Sequence, residues 1–191
     1  MDAMKQRLMK ELVQLGTGES EHSTRSLLDH LDGVCQLLEQ WGNPPEVCIA
    51  GLFHSVYGTE SYTIQSVGLE RRAYIRGLIG ERTEELVYLF CACDKSHFTD
   101  NFAKPGDYTV MDQFKDKEVA ISNSTLEALA EISIANMLEQ LPSVEHLIGR
   151  QKLEYLFAQW KPAKPFVSAR AYQEFLDYFA ARNIGNSVEV I

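Results

Sequence analysis

The sequence predicts an all-α fold, a helical bundle, on three observations. Apolar residues recur at offsets of three and four through most of the chain, the period of one helix face. Between these runs stand Gly, Pro and Asn, placed to end one helix and start the next. Strand-like patterning is confined to residues 95–122, where a small β-hairpin is expected. A length of 191 residues suits a single domain, 1–191, and 45% apolar against 24% charged residues can fill a core.

Met4, Leu8, Leu12 and Leu15 define a first amphipathic helix that ends at Gly16. The polar stretch from Gly16 to Ser23 leads to Leu27, Leu31, Val34, Leu38 and Trp41, the seam of a second helix, which Gly42-Asn43-Pro44-Pro45 stops. Pro45 suits the first turn of a third helix, because its fixed φ is helix-compatible and its missing N–H would have no partner there. That helix carries Val47, Cys48, Ala50, Gly51, Leu52 and Phe53, is apolar on most sides, and is therefore expected at the centre. After a break at Gly58-Thr59, Tyr74, Ile75, Leu78 and Ile79 share one side of another helix, and Gly80 separates it from the next, roughly Thr83 to Ala92.

In residues 95–122, Tyr108 to Met111 and Val119 to Ile121 can pair around Asp112 to Lys117, forming either a lid or part of a long loop. Ser124-Thr125-Leu126-Glu127 fits a capping box and opens a helix to about Leu141. Val144 to Trp160 and Ser168 to Arg182 are two further amphipathic segments. The Lys161-Pro162-Ala163-Lys164-Pro165 stretch between them cannot be helical throughout. No period of 20 to 50 residues is visible, which excludes a solenoid.

Eighteen Lys plus Arg against 27 Asp plus Glu give a net charge of −9, without the basic footprint of a nucleic-acid or anionic-membrane binder. No apolar run approaches the roughly eighteen residues of a membrane span. Lys5, Arg7, Lys10 and Glu11 interrupt the first fifteen residues, so they do not read as a signal peptide. A cytoplasmic protein is expected, with a small-molecule ligand or substrate as partner, neither nucleic acid nor membrane, and homodimerisation left open. The four cysteines, Cys35, Cys48, Cys91 and Cys93, sit in apolar stretches as small hydrophobes, and no zinc or redox spacing joins them.

Two histidines stand where an ionisable side chain needs a reason. His30 lies four, seven and eleven residues before Val34, Leu37 and Trp41, which turns it to the interior or its border. His54 follows Ala50-Gly51-Leu52-Phe53 and precedes the break at Gly58, where a pocket can open. Each alone suits either core packing or a ligand or acid–base role.

With their neighbours these residues resemble the HD superfamily, all-helical metal-dependent phosphohydrolases. The segment from His30-Leu31-Asp32-Gly33 to Trp41-Gly42, then Ile49-Ala50-Gly51-Leu52-Phe53-His54, is similar to the two histidine helices of the guanosine tetraphosphate hydrolase branch, with the same separation of 24 residues. Ser133-Ile134-Ala135-Asn136-Met137-Leu138 resembles the segment that closes the family's site. The resemblance spans about residues 22–141, with helices in 143–183 packed on that core. It implies a divalent ion, Mn, Fe or Zn, held by His30, His54, Ser55 and Asn136, with the two ring nitrogens within about 4 Å of one another. Ser55 and Asn136 stand where the family has aspartates, and Gly58-Thr59 where its nucleotide-hydrolysing branch has an acidic pair. The protein's ligand charge thereby falls from about −2 to 0, weakening its hold on hard cations.

Glu60 could swing into the gap left at Ser55, and Asp94, with His97 three residues on, is a second catalytic candidate. Arg71 and Arg72, with Arg76, could hold a phosphate or carboxylate, or form a salt-bridged face. Two readings follow. One is a metal-dependent hydrolase of a small phosphorylated or nucleotide-like substrate; the other is a degenerate HD-like domain that binds a small ligand or a protein partner without metal.

Overall fold

The computed structural model describes residues 2–16, 21–22, 25–60, 62–104 and 106–185, so part of the expected Gly16 to Ser23 linker lies outside the described residues. It is an all-α protein with a small hairpin. Eight α-helices are described: α1 (Asp2–Gln14), α2 (Leu27–Gln40), α3 (Pro45–Phe53), α4 (Arg72–Ile79), α5 (Glu81–Ala92), α6 (Lys95–Asp100), α7 (Asn123–Trp160) and α8 (Ala169–Ala180). Strands β1 (Glu21–His22) and β2 (Arg25–Ser26) pair before α2, and β3 (Thr109–Asp112) pairs antiparallel with β4 (Lys117–Ala120). No helix among the described residues is long and apolar enough to cross a membrane.

Helix α3 is the centre of the bundle, packing against α2, α5 and α7, and its seven residues from Val47 to Phe53 are all buried. Helix α2 buries the expected Leu27, Leu31, Val34 and Leu38 together with His30, and the Ser26 hydroxyl accepts the N–H of Asp29 at its start. Leu8 and Leu12 of α1 are buried, but Met4 is half exposed, so the apolar face of that helix is shorter than its period suggested. Helix α8 lies against α7 and the 3-10 turns at 161–166, where Phe157 stacks on Phe175.

The 95–122 region departs from expectation. It contains α6, which the sequence reading left as irregular chain, and the hairpin is tied down. Asp112 is fully buried and accepts the Tyr88 hydroxyl at 2.7 Å and the N–H groups of Phe114 and Lys115. The Gln113 N–H reaches Ala92 O at 2.9 Å, at the end of α5.

Helix α7 differs in two ways. Its N-cap is Ser122, whose hydroxyl accepts the Thr125 N–H at 3.1 Å. Glu127 binds the Asn123 amide instead of closing a box with Ser124. The expected interruption near Pro142 is absent, and the helix bends seven residues later at Gly149, where φ is 69° and ψ 165°. A positive φ is open to glycine at little steric cost. Pro142 is exposed, so the carbonyl it leaves without an intrahelical partner can turn to solvent.

Candidate functional site

The two histidines meet where α2, the end of α3 and the first leg of α7 converge. His30 Nε2 is 3.3 Å from His54 Nε2 and 3.0 Å from Asn136 Oδ1. The other nitrogen of each ring has its own acceptor. His54 Nδ1–H donates to the Gly51 carbonyl at 2.7 Å, one turn back along its own helix. His30 Nδ1 is hydrogen-bonded to the carboxylate of Glu139, which sits one turn beyond Asn136 on α7 with a side chain 8% exposed. Gly33 makes room for that carboxylate: a Cβ there would fall 2.8 Å from Glu139 Cγ.

These second partners decide the chemistry. In the neutral form, an N–H on Nδ1 of each ring would serve these acceptors and leave both Nε2 atoms as lone-pair donors; an additional proton on His30 would make its Nε2 a hydrogen-bond donor toward His54 or Asn136. His30 Nε2 thus stands between two acceptor-capable atoms, 3.3 Å from His54 Nε2 and 3.0 Å from Asn136 Oδ1, distances that a proton on this nitrogen bridges as a hydrogen bond. Donors bonded to one metal ion at about 2.1 Å have mutual separations of this size. A donor set of two imidazoles and one neutral oxygen suits a first-row transition ion better than magnesium or calcium. The two separations suit a shared proton as well as a metal ion, and among the described residues the chamber is lined by the Lys95 cation, with no carboxylate to offset a metal's charge. Among the described residues there is no group of three His, Cys, Asp or Glu side chains placed to hold a metal.

Ser55 completes the enclosure. It is 4% exposed, lines the same chamber as His30, His54 and Asn136, and its hydroxyl oxygen has no hydrogen-bond partner among the described residues. The chamber is about 30 Å³, room for one ion or one water. Phe90, Lys95, Asn136 and Gln140 line it and also a much larger cleft of about 590 Å³, so the two are neighbours with a shared wall. Both legs of the bent α7 form the cleft wall, from Ser133 to Ile148 and from Lys152 to Trp160. Lys95 stands at the junction, its ammonium 3.5 Å from the Phe90 ring centre and 3.4 Å from Cys93 Sγ.

Of the residues singled out from the sequence, the structure brings together His30, His54, Ser55 and Asn136. Glu60 is exposed at the cleft rim, where its carboxylate accepts the Lys95 N–H at 3.2 Å, and it does not fill the gap beside Ser55. Asp94 caps α6: its carboxylate accepts the Ser96 hydroxyl and the His97 N–H at the start of that helix, and these bonds hold it below the usual carboxylate range. His97 turns to the hairpin, 3.1 Å from Thr109 Oγ1. Hairpin residues 109–120 line neither the chamber nor the cleft, while Lys95 and Ser96, at the start of the 95–122 stretch, line the cleft.

Arg72 is not directed to the cleft. Its guanidinium grips the fully buried Glu84 carboxylate with two bonds of 2.6 and 3.0 Å, joined by Arg76 at 3.2 Å and the Tyr57 hydroxyl at 3.0 Å. Burial opposes charge on Glu84, but the bonds from Arg72 and Tyr57 outweigh it and hold its carboxyl below the usual range. Arg71 lies over the Tyr74 ring on the surface. The thiols of Cys35, Cys48 and Cys91 are pushed up to about 12 by burial, as expected of packing residues, and all four cysteines are free.

Residues missed from the sequence are Glu139, Gln140, Lys95 and Phe90. Only Glu139 had a usable signal, its i+3 spacing from Asn136 on one helix face.

Over residues 11–95 the chain is similar to a family described as Domain of unknown function (DUF6817). The matched segment contains His30, His54 and Ser55 but stops before α7. No curated protein matches the chain, and no solved structure does.

Proposed function

We propose that this is an HD-like protein whose chamber holds one divalent first-row transition ion, and that it hydrolyses a small phosphorylated molecule at the mouth of that chamber. The observation that carries the reading is the convergence of His30 Nε2, His54 Nε2 and Asn136 Oδ1, with each Nδ1 tied to a separate acceptor. Metal-binding histidines are held in this way, their second nitrogen donating to a carboxylate or a backbone carbonyl.

Bound there, the ion would supply a Lewis acid that polarises a phosphoryl oxygen and acidifies a water. The chain's own groups do the rest. His30 and His54 stay in the Nδ1–H form through Glu139 and Gly51, so their Nε2 atoms remain donors of electron pairs. Lys95 offers a positive charge at the junction of chamber and cleft, where a phosphate would sit. The narrow chamber admits no substrate body, which confines the alcohol part of the molecule to the cleft. In the reaction a water oxygen bonds to phosphorus as the P–O bond to the alcohol breaks, and the alcohol leaves with the proton that the water gives up.

A second reading, ligand binding without metal, is favoured by the lack of any carboxylate among the converging donors; a proton shared between the imidazoles would then supply the cation. Elemental analysis separates the two. Protein purified without chelator and loaded with Mn²⁺, Fe²⁺ or Zn²⁺ is expected to carry about one ion per chain, lost in His30→Ala and in His54→Ala. A parent protein that retains no metal after loading sinks the hydrolase reading and leaves the binding module.

A further inference from the structure

We infer that the cleft in the bend of α7 binds a small monocarboxylate with an apolar body, its carboxylate held by Lys95, Asn136 and Gln140 and its body laid along the two legs of α7. The inference stands on the cleft alone and goes beyond both readings above, because neither an ion in the chamber nor a reaction enters it.

Shape sets the size of the occupant. A volume of about 590 Å³ is in the usual range for a small-molecule site. Met137, Leu141, Val144 and Ile148 follow one another at offsets of four, three and four along the first leg of α7, so they form one apolar row. The second leg, beyond the bend at Gly149, adds Tyr155 and Leu156 to the same cleft. Tyr155 is 52% exposed, and Ile148 and Leu156 are half-buried, so this wall keeps apolar surface in contact with water. An apolar ligand body gains by covering it.

The end that the cleft shares with the chamber is built of donors. Among the described residues Lys95 is the one cation that lines both spaces. Its ammonium rests on the Phe90 ring and beside Cys93 Sγ, neighbours that hold it in place without cancelling its charge, and no described carboxylate forms an ion pair with it. Glu60, the acid of the cleft, accepts the Lys95 backbone N–H instead. Asn136 turns Oδ1 to His30, which leaves the N–H groups of its amide without an acceptor among the described residues. Gln140 stands one turn further along the same face, and its amide likewise has no described partner. Ser133, three residues before Asn136, adds a hydroxyl in the same condition on a residue 6% exposed. One cation and two amides match a single negative charge spread over two oxygens. A phosphate ester asks for a second cation, but the other lysine of the cleft, Lys152, is exposed on the second leg, 4.7 Å from the Tyr155 ring centre. A cationic ligand meets the wrong sign at this end, although the chain as a whole carries −9.

The test is calorimetric titration of the full chain with 4-phenylbutyrate, its neutral analogue 4-phenylbutyramide, (3-phenylpropyl)phosphonate and acetate. The phenylbutyrate is expected to bind at least about tenfold more tightly than each of the other three. Its preference over the amide should fall toward one in Lys95→Met and stay unchanged in Lys152→Gln, while Tyr155→Ala weakens acid and amide alike by about threefold. Equal affinity for acid and amide, tighter binding of the phosphonate, or no binding of phenylbutyrate overturns the inference. So does an acid preference that survives Lys95→Met and is lost in Lys152→Gln. Chelator-treated and Zn²⁺-loaded protein should bind phenylbutyrate equally well, and binding confined to the loaded form gives the carboxylate to the metal and overturns the assignment to Lys95. Metal content is measured separately, so failure of these titrations leaves both readings of the chamber to be decided by it.

Discussion

His30 takes its orientation from a carboxylate 109 residues away, and that dependence can be measured. Glu139→Gln is expected to weaken Zn²⁺ or Mn²⁺ binding by about 10- to 100-fold in a chelator competition, the usual consequence of losing a partner behind a metal-binding histidine. Gly33→Ala should act in the same direction, because its new methyl would push the Glu139 side chain off the ring. Unchanged affinity in both variants would mean that His30 is oriented by its helix alone. The histidines were legible because their cues are local: the apolar period around each and the break after His54. Asn136 and Ser55 were reached through resemblance to a site in which both are replaced. Glu139 was not reached, since its role exists only when α7 packs on α2. Asp94 shows how a short helix hides in sequence: an Asp directly before a helix start is a cap, but six residues leave too little apolar period for α6 to be read.

At the scale of elements, the start and the bend of α7 were the two misplaced boundaries. Ser122 and Ser124 are both plausible caps by sequence, and the Ser-x-x-Glu pattern favoured the second. Backbone geometry selects the first, where φ is −75° and ψ 161° and the hydroxyl meets the Thr125 N–H. Urea unfolding should therefore show Ser122→Ala less stable by about 1 kcal/mol and Ser124→Ala by under about 0.5 kcal/mol. Equal losses would place the cap in a shared serine cluster, which the 3.0 Å contact between the two hydroxyls would then explain. The bend escaped notice because proline is the conspicuous breaker, while a glycine at the same helix face is tolerated in either conformation. The exposed Pro142 does not by itself end the helix, which runs on to Gly149.

For the molecule as a whole, the all-α class was legible because eight helices leave a strong three-to-four period, and α3 was identifiable as central from its apolar residues on every side. The polar wiring that holds the site in place was hidden. Glu84 links α5 to α4 through Arg72 and Arg76, and to the turn after His54 through Tyr57, so a buried acid anchors the segment that carries Ser55. Because its folded carboxyl lies below the ordinary 4.5, Glu84 contributes stability that is complete above that pH and is lost as the pH falls through its lowered value. Urea midpoints should drop below about pH 4.5 in the parent, and less steeply in Glu84→Gln, which has no charge left to lose. A parallel drop in both would assign the acid limb to other carboxylates. The chamber also has a thermodynamic consequence. Its groups come from residues 30, 54, 55 and 136, which are together only in the native chain. Anything seated among them is therefore linked to folding itself. At a hundred times its dissociation constant such an occupant deepens the native well by about 2.7 kcal/mol, so the melting temperature of this protein doubles as a binding meter.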